Sequence, residues 1–383
     1  MKRFINLLLL TVLMFGWQAS EACTSAIVTS GMSSNGQTLL WKHRDSRMAN
    51  TRVRHITGGK YAYTALVHAK NSKIAYAGVN NKGFGIFNTA TGNLPIDREA
   101  ENTNKVTFAT LITLALRECA TVDEFEELVK TWERGPRFQT NIGVGDANGG
   151  AAYFEIWHNG YKRYNTADRT SGFDIRANYS FAGDKKKRGI SQRRYLAAEA
   201  QMKKMPVFTP EDLMALSRSY YAVRFKGSVL DITEKYNDNT QRCVPRQSSV
   251  AAVVIVCDGK NPRMDVVNGH PAACFPVTAW VEAGANLPKC ITGTDMFKLS
   301  RDFRIAAYDN EKQGRRRFVW LNQDLTYKVV SATMKSCKKA PKKTPKDFTK
   351  YNASVEKRFI KHKARIDKLI QPVLAEKKAA KKR

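Results

Sequence analysis

Three patterns in the sequence predict an α+β fold. Short apolar runs recur at strand length between turn residues, as in Ala26-Ile27-Val28 and Thr38-Leu39-Leu40-Trp41. A densely apolar stretch at 105–132 has helical spacing. Strand patterning then returns at 139–166, so strands and helices come in blocks.

The first block, 23–41, reads as a hairpin. Ser30-Gly31-Met32-Ser33-Ser34-Asn35-Gly36 is turn chemistry, and Asn35-Gly36 favours a tight reversal. Tyr61, Tyr63, Ala65 and Val67 alternate and lead to Ile74–Val79, which predicts two more strands over 61–93. Glycines at 83 and 85 inside that pattern point to close backbone approach. In 105–132, Leu111, Ile112, Leu114 and Leu116 build one helix, and Thr121 caps a second with Phe125, Leu128 and Val129 inward. Asp146-Ala147-Asn148-Gly149-Gly150 turns one strand into another, which makes Asp146 and Glu155 structural residues. A helix is expected around Gln192–Met202, and another after Thr209-Pro210-Glu211, with Pro at its first position. Val250–Val256 reads as a long buried strand. Val355, Phe359, Ile366 and Ile370 share one face of a late helix that Pro372 is expected to disturb.

Composition narrows the class. Lys2-Arg3, an apolar run from Phe4 to Trp17, and small residues Ser20 and Ala22 read as a signal peptide, 1–22, cut before Cys23. The run is too short to span a bilayer, so the expected product is secreted or periplasmic. The seven cysteines permit disulfides in such a compartment, and if Cys23 stays unpaired the other six leave 15 pairings open. No CxxC pair occurs and the six histidines are scattered, so no metal site is expected. The net charge is +30, and Lys335–Arg383 alone carries 18 Lys or Arg against four Asp or Glu. Such a block reads as a solvated or adhesive extension, 331–383, behind a main domain, 23–330. The run Lys185-Lys186-Lys187-Arg188 reads as a solvated loop. Nucleic acid is not an expected partner.

A cut after Ala22 would give Cys23 both a thiol and a free α-amine, whose ordinary pKa is about 8. A thiol beside its own base is an activated nucleophile. Two other readings stand beside this one. A lipid-modified cysteine fits poorly, because Glu21 stands where a small residue is usual. An ordinary structural cysteine is the other.

Downstream motifs favour the nucleophile. Cys23-Thr24, with Leu39-Leu40-Trp41-Lys42-His43-Arg44-Asp45 about twenty residues on, resembles the N-terminal-nucleophile hydrolases that cleave linear amides. These include choloylglycine hydrolases, penicillin acylases and, most similar in this segment, the isopenicillin-N acyltransferase-like branch. The resemblance implies a four-layer αββα sandwich over 23–330 with a basic helical C-terminal tail. It implies that Asp45 anchors the α-amine. Lys42 stands where the family pattern has an arginine, and Arg44 precedes Asp45, so either cation is a candidate to tune the thiol. Asn80-Asn81-Lys82-Gly83-Phe84-Gly85-Ile86-Phe87-Asn88 is similar to the family's oxyanion region, which makes Asn80 and Asn88 candidates; Asn80 reads equally well as a turn residue. Phe173–Tyr179 is similar to the segment whose Asn amide donates to the oxyanion, here Asn178. Arg246 loosely matches a late arginine near the thiol, and reads otherwise as a surface or interface residue.

The expected function is hydrolysis or acyl transfer on a small linear amide, without a metal or organic cofactor. The acyl group could come from a bile-salt conjugate, an N-acyl amino acid, a penicillin or a lipid amide. The competing class is a secreted basic binding protein with an inactive hydrolase core. Contact of the tail with an anionic surface, and homo-oligomerisation, are further expectations.

Overall fold

The computed structural model describes residues 22–101, 107–189, 191–223, 229–230, 242–313, 316–338, 341 and 344–380. The signal-peptide reading therefore falls almost wholly outside the described residues.

The expected hairpin is strands β1 (Ala22–Val28) and β2 (Thr38–Asp45), and Gly36 takes the left-handed conformation at its turn, φ 68°. Next comes a meander of β3 (Thr51–Ile56), β4 (Tyr63–His68), β5 (Asn71–Asn80) and β6 (Gly85–Thr89). Helices α1 (Phe108–Glu118) and α2 (Val122–Thr131) follow, and the Thr121 hydroxyl accepts from Glu124 N at the start of α2. The meander resumes with β7 (Gln139–Gly145), β8 (Ala151–Trp157) and β9 (Gly160–Asn165). Strand β10 (Phe173–Arg176) leads to α3 (Ser191–Met202) and α4 (Pro210–Leu216), whose start is a Thr209–Asp212 capping box. The short pair β11 (Ala222–Val223) and β12 (Val229–Leu230) precedes β13 (Ser249–Cys257), β14 (Arg263–Val267) and β15 (Val277–Trp280). The chain ends with α5 (Lys289–Thr292), α6 (Asp295–Ala307), hairpin β16 (Tyr308–Gln313) and β17 (Arg316–Leu321), α7 (Gln323–Met334) and α8 (Phe348–Ala380).

Two antiparallel sheets stack face to face. One is ordered β10-β1-β2-β13-β14-β15 and the other runs β3 to β9 in sequence. Helices α1 and α2 cover the outer face of the seven-stranded sheet through Leu111, Leu116, Phe125 and Val129. Helices α3 and α4 lie on the outer face of the six-stranded sheet. This is the expected four-layer αββα order. Strand β13 is buried at all nine positions because both its faces are covered, which is why it reads as one apolar run instead of an alternation. Gly83 and Gly85 permit the close approach expected of them, a Cβ at Gly83 falling 2.8 Å from Asp258 O, and Gly145 does the same without having been singled out. A Cβ at Gly85 would lie 2.8 Å from Ile255 Cγ2, and one at Gly145 would lie 2.7 Å from Thr38 Cγ2, both across the sheet interface.

The C-terminal segment belongs to the core. Residue 330 lies inside α7, and α8 buries Val355, Phe359, Ile366 and Ile370 in the same cluster as the six-stranded sheet, with His362 buried on the same side. The expected apolar face is thus present. Pro372 does not end the helix, which runs to Ala380. A proline removes one backbone hydrogen bond. Here Val373 and Leu374 still pack on the core, and Lys377 Nζ donates to Ile305 O at 3.0 Å.

Candidate active site

The site forms where β1 begins and β2 ends. Register pairs Cys23 with Arg44, Ser25 with Lys42 and Ala22 with Asp45. Side chains alternate along each strand, so Cys23, Ser25, Lys42 and Arg44 face the other sheet, while Thr24, His43 and Asp45 face the opposite way. Inward contacts agree: the Ser25 hydroxyl meets Thr89 Oγ1 at 2.6 Å, and the Arg44 guanidinium lies over the Tyr76 ring, 3.9 Å from its centre.

The Cys23 nitrogen donates to Asn178 Oδ1 at 2.9 Å. Arg194 Nη2 donates to the same oxygen. Asn178 Nδ2 donates to Ala90 O at 2.9 Å. Backbone nitrogen and guanidinium can only donate and a carbonyl can only accept, so these three bonds fix which way the Asn178 amide faces. Asn178 follows β10, and its loop is held by a buried ion cluster. Arg176 Nε donates to Glu155 Oε1 at 2.8 Å and Arg176 Nη1 to Asp174 Oδ1 at 2.7 Å. Glu155 also accepts the Phe181 and Ala182 backbone N–H groups. Glu155 therefore shapes the loop, and Asp146 caps the Val122 N–H and closes its own turn, both structural as read from the sequence.

Asp45 is fully buried. Its Oδ2 accepts Arg246 Nε at 2.8 Å, and its Oδ1 accepts the Ser249 hydroxyl at 2.6 Å with His43 Nε2 at 3.2 Å. Burial alone would raise this carboxyl's pKa. Arg246 and then His43 more than offset that and hold it well below the usual carboxylate range. Ser249, His43 and Asp45 have the residue types of a serine-hydrolase triad but not its geometry. Ser249 and Asp45 both contact the same ring nitrogen and contact each other, so no relay runs from one side of the imidazole to the other. All three are buried, and the cluster braces Asp45.

Lys42 is buried. Its Nζ donates to Asn88 O at 2.7 Å, Asn88 Oδ1 at 2.6 Å and Tyr76 O at 3.3 Å. Lys42 and Asn88 are thus brought together between the sheets, with Asn88 Nδ2 buried and without a hydrogen-bond partner. By register Arg44, not Lys42, stands across from Cys23.

Asn80 is not brought to this site. Its Nδ2 donates to Leu116 O and Cys119 O, and its Oδ1 accepts from Lys82 N and Phe84 N. It closes the β5–β6 turn beside Gly85, whose neighbour Leu40 lies toward the far end of β2 from Arg44. The turn reading of Asn80 is the one this geometry fits, since every hydrogen-bonding position of the amide is committed there. Arg246 moves the other way: it is 6% exposed and tied to Asp45, not a surface residue.

Arg194 had no place among the sequence candidates. It is 1% exposed and lies between Asn178, Asp45, Arg246 and Cys23. Its spacing held a signal. Arg194, Ala197, Ala198 and Met202 form the buried stripe of α3. An arginine on such a stripe needs a buried partner. The neighbouring Lys185–Arg188 run masked it, although that run is an exposed turn as expected.

Cys119, Cys243, Cys257, Cys274, Cys290 and Cys337 are free thiols, so none of the 15 pairings is formed. Burial pushes the Cys119, Cys243 and Cys274 thiols up to about 12. Among the described residues no group of three or more His, Cys, Asp or Glu is placed to hold a metal ion.

No protein-family model matches the chain, and no curated protein gives a significant match. Solved structures do. A variant of conjugated bile acid hydrolase from Clostridium perfringens aligns with a TM-score of 0.43 and 11% identity, covering 68% of this chain and 93% of that one. Penicillin V acylase from Agrobacterium tumefaciens aligns with a TM-score of 0.41 and 12% identity, covering 67% and 86%. The chain is similar to both in fold, at identities too low to speak to what it acts on.

Proposed function

We propose that this chain is a cysteine-nucleophile amidase or acyltransferase acting on a linear non-peptide amide, exported and activated by removal of residues 1–22. The observation that carries the reading is the Cys23 nitrogen held at 2.9 Å by Asn178 Oδ1, with Arg44 across from the same residue. A nitrogen fixed in that way would become, after cleavage, an oriented α-amine beside its own thiol.

The neutral amine takes the thiol proton, and sulfur attacks the amide carbon. The carbonyl electron pair moves to oxygen, and Asn178 Nδ2 donates to that oxyanion. A donor of this kind is typically worth about 2.7–4 kcal/mol of barrier. When the oxyanion collapses, the C–N bond breaks and the ammonium passes its proton to the leaving nitrogen. An acyl-thioester remains on Cys23. Water then attacks, gives its proton to the amine, and releases the acid and the thiol; a second amine or thiol in place of water gives acyl transfer. Asp45 holds Arg246 in place beside this machinery. Bile-salt conjugates, N-acyl amino acids, penicillins and lipid amides are the substrate classes to assay.

The exported protein should begin at Cys23 by intact mass. Cys23→Ala should retain the wild-type melting temperature and lose amide turnover by several orders of magnitude. Turnover in that variant would refute the reading, as would a mature chain starting upstream of Cys23.

A further inference from the structure

We propose that Arg194 is the positioning residue that favours the neutral α-amine of mature Cys23 and the thiolate formed when that amine takes the thiol proton, through the Asn178 oxygen they share. This deepens the reading of Cys23 as the nucleophile and rests on it.

The geometry is specific. Asn178 Oδ1 accepts from the Cys23 nitrogen and from Arg194 Nη2, so the guanidinium and the future amine sit on one acceptor atom. Two donors on one oxygen lie within a few ångströms of each other. Arg194 is 1% exposed, and its Nε is buried without a hydrogen-bond partner. A cation in that position is poorly screened by water. Its own pKa is pulled down to about 9, first by burial and then by Arg246, so the site is crowded with positive charge. The charged and titratable groups around this end of β1 are Lys42, His43, Arg44 and Asp45 on β2, Arg246 before β13, and Arg194 on α3. On the paired strand β10, Arg176 is tied to Asp174 and Glu155, and Asp45 is paired with Arg246. Arg194 binds an amide oxygen at the contact described here, and the opposing charge of Asp45 acts on it less than the repulsion of Arg246, so its charge is offset only in part.

The consequence has a sign. A nearby cation disfavours a second cation and favours an anion. It therefore lowers the pKa of the α-amine and of the thiol together. Only the neutral amine can take the thiol proton, so activity rises with pH through the amine pKa. Removing the Arg194 charge should move that rise to higher pH.

The test uses the full exported protein with its N-terminus verified at Cys23. The pH dependence of kcat/KM and of Cys23 alkylation by iodoacetamide is measured for wild type, Arg194→Met and Arg194→Lys. The methionine variant keeps most of the length and removes the charge. The expected result is an acidic limb displaced upward by about one pH unit in both profiles, about tenfold loss on the limb, and restoration by lysine. An unmoved limb in Arg194→Met, with or without a fall in kcat, would overturn the proposal and leave Arg194 a packing residue. Should the methionine variant fail to fold, the lysine variant decides: a limb at the wild-type position supports the charge role, and a displaced one refutes it. Cys23→Ala in parallel separates the two claims, since turnover there sinks the nucleophile itself, whereas an unmoved limb sinks only Arg194.

Discussion

A thiol is defined here by what surrounds it. All four thiols are buried, but at Cys119, Cys243 and Cys274 burial outweighs the one cation near each, whereas Cys23 lies at the start of a strand among Arg44, Arg194 and Asn178. At neutral pH the folded mature protein should take up one equivalent of iodoacetamide, on Cys23, by mass spectrometry; labelling of the other thiols at a similar rate would contradict the contrast. Asp45 supplies a second prediction. Its pKa is depressed in the fold, so its contribution to stability is complete above the unfolded value of about 4 and is lost as pH falls toward the folded one. Asp45→Asn removes the charge that Arg246 is paired with, and should cost about 3–5 kcal/mol in urea unfolding at pH 7 and flatten that acid limb. Cys23, Asp45, Arg44 and Asn178 could be named from the sequence because they fall in segments that resemble one family's motifs, and the fold gathers them around the start of β1. Arg246 was misjudged because an isolated arginine carries no mark of whether a carboxylate from 201 residues away will reach it, and Arg194 was passed over because the basic run before it hid its place on the buried stripe of α3.

Elements place these residues, and most elements could be read. Hairpin β1–β2, the capped helices α2 and α4 and strand β13 follow from turn residues, caps and an unbroken apolar run. Strand β3 could not be read, although Val53 is buried, because Arg52, Arg54 and His55 give an edge strand no apolar alternation. Nor could the turn identity of Asn80 be separated from a functional one, since Asn-Asn-Lys-Gly serves both. The loop that carries Asn178 depends on Glu155, which lies on another strand in the other sheet. Glu155→Gln keeps the shape but takes a charge from Arg176. It should lower stability by about 2–4 kcal/mol and, if Asn178 is the oxyanion donor as proposed, reduce kcat more than it raises KM, because that donor shifts while the substrate surface stays.

The whole molecule differs from its sequence reading chiefly at the C-terminus. Charge density there suggested an appendage, but the lysines at 357, 361, 363 and 368 are only the outer side of α8. Its inner side includes His362, whose Nε2 donates to Ala273 O at 2.7 Å while Nδ1 accepts from Ser336 Oγ at 3.0 Å. Burial lowers this histidine to about 4, so it folds neutral. Its contribution is complete above about pH 6.5 and drains away as pH falls toward 4. Protection of α8 amides from hydrogen exchange should weaken over that window in the wild type, and less in His362→Gln. Deleting residues 347–383 should yield an unstable or insoluble product, because Phe359, Ile366 and Ile370 leave their cavity together.

Strand β1 and helix α8 contribute to one hydrophobic cluster. The first described strand and the last helix must therefore meet before that cluster is complete. A nascent chain stalled short of α8 holds a half-built interior whatever its N-terminal half has achieved, and it stays prone to chaperones and proteases until synthesis finishes. The packing around β1 thus waits on the arrival of α8.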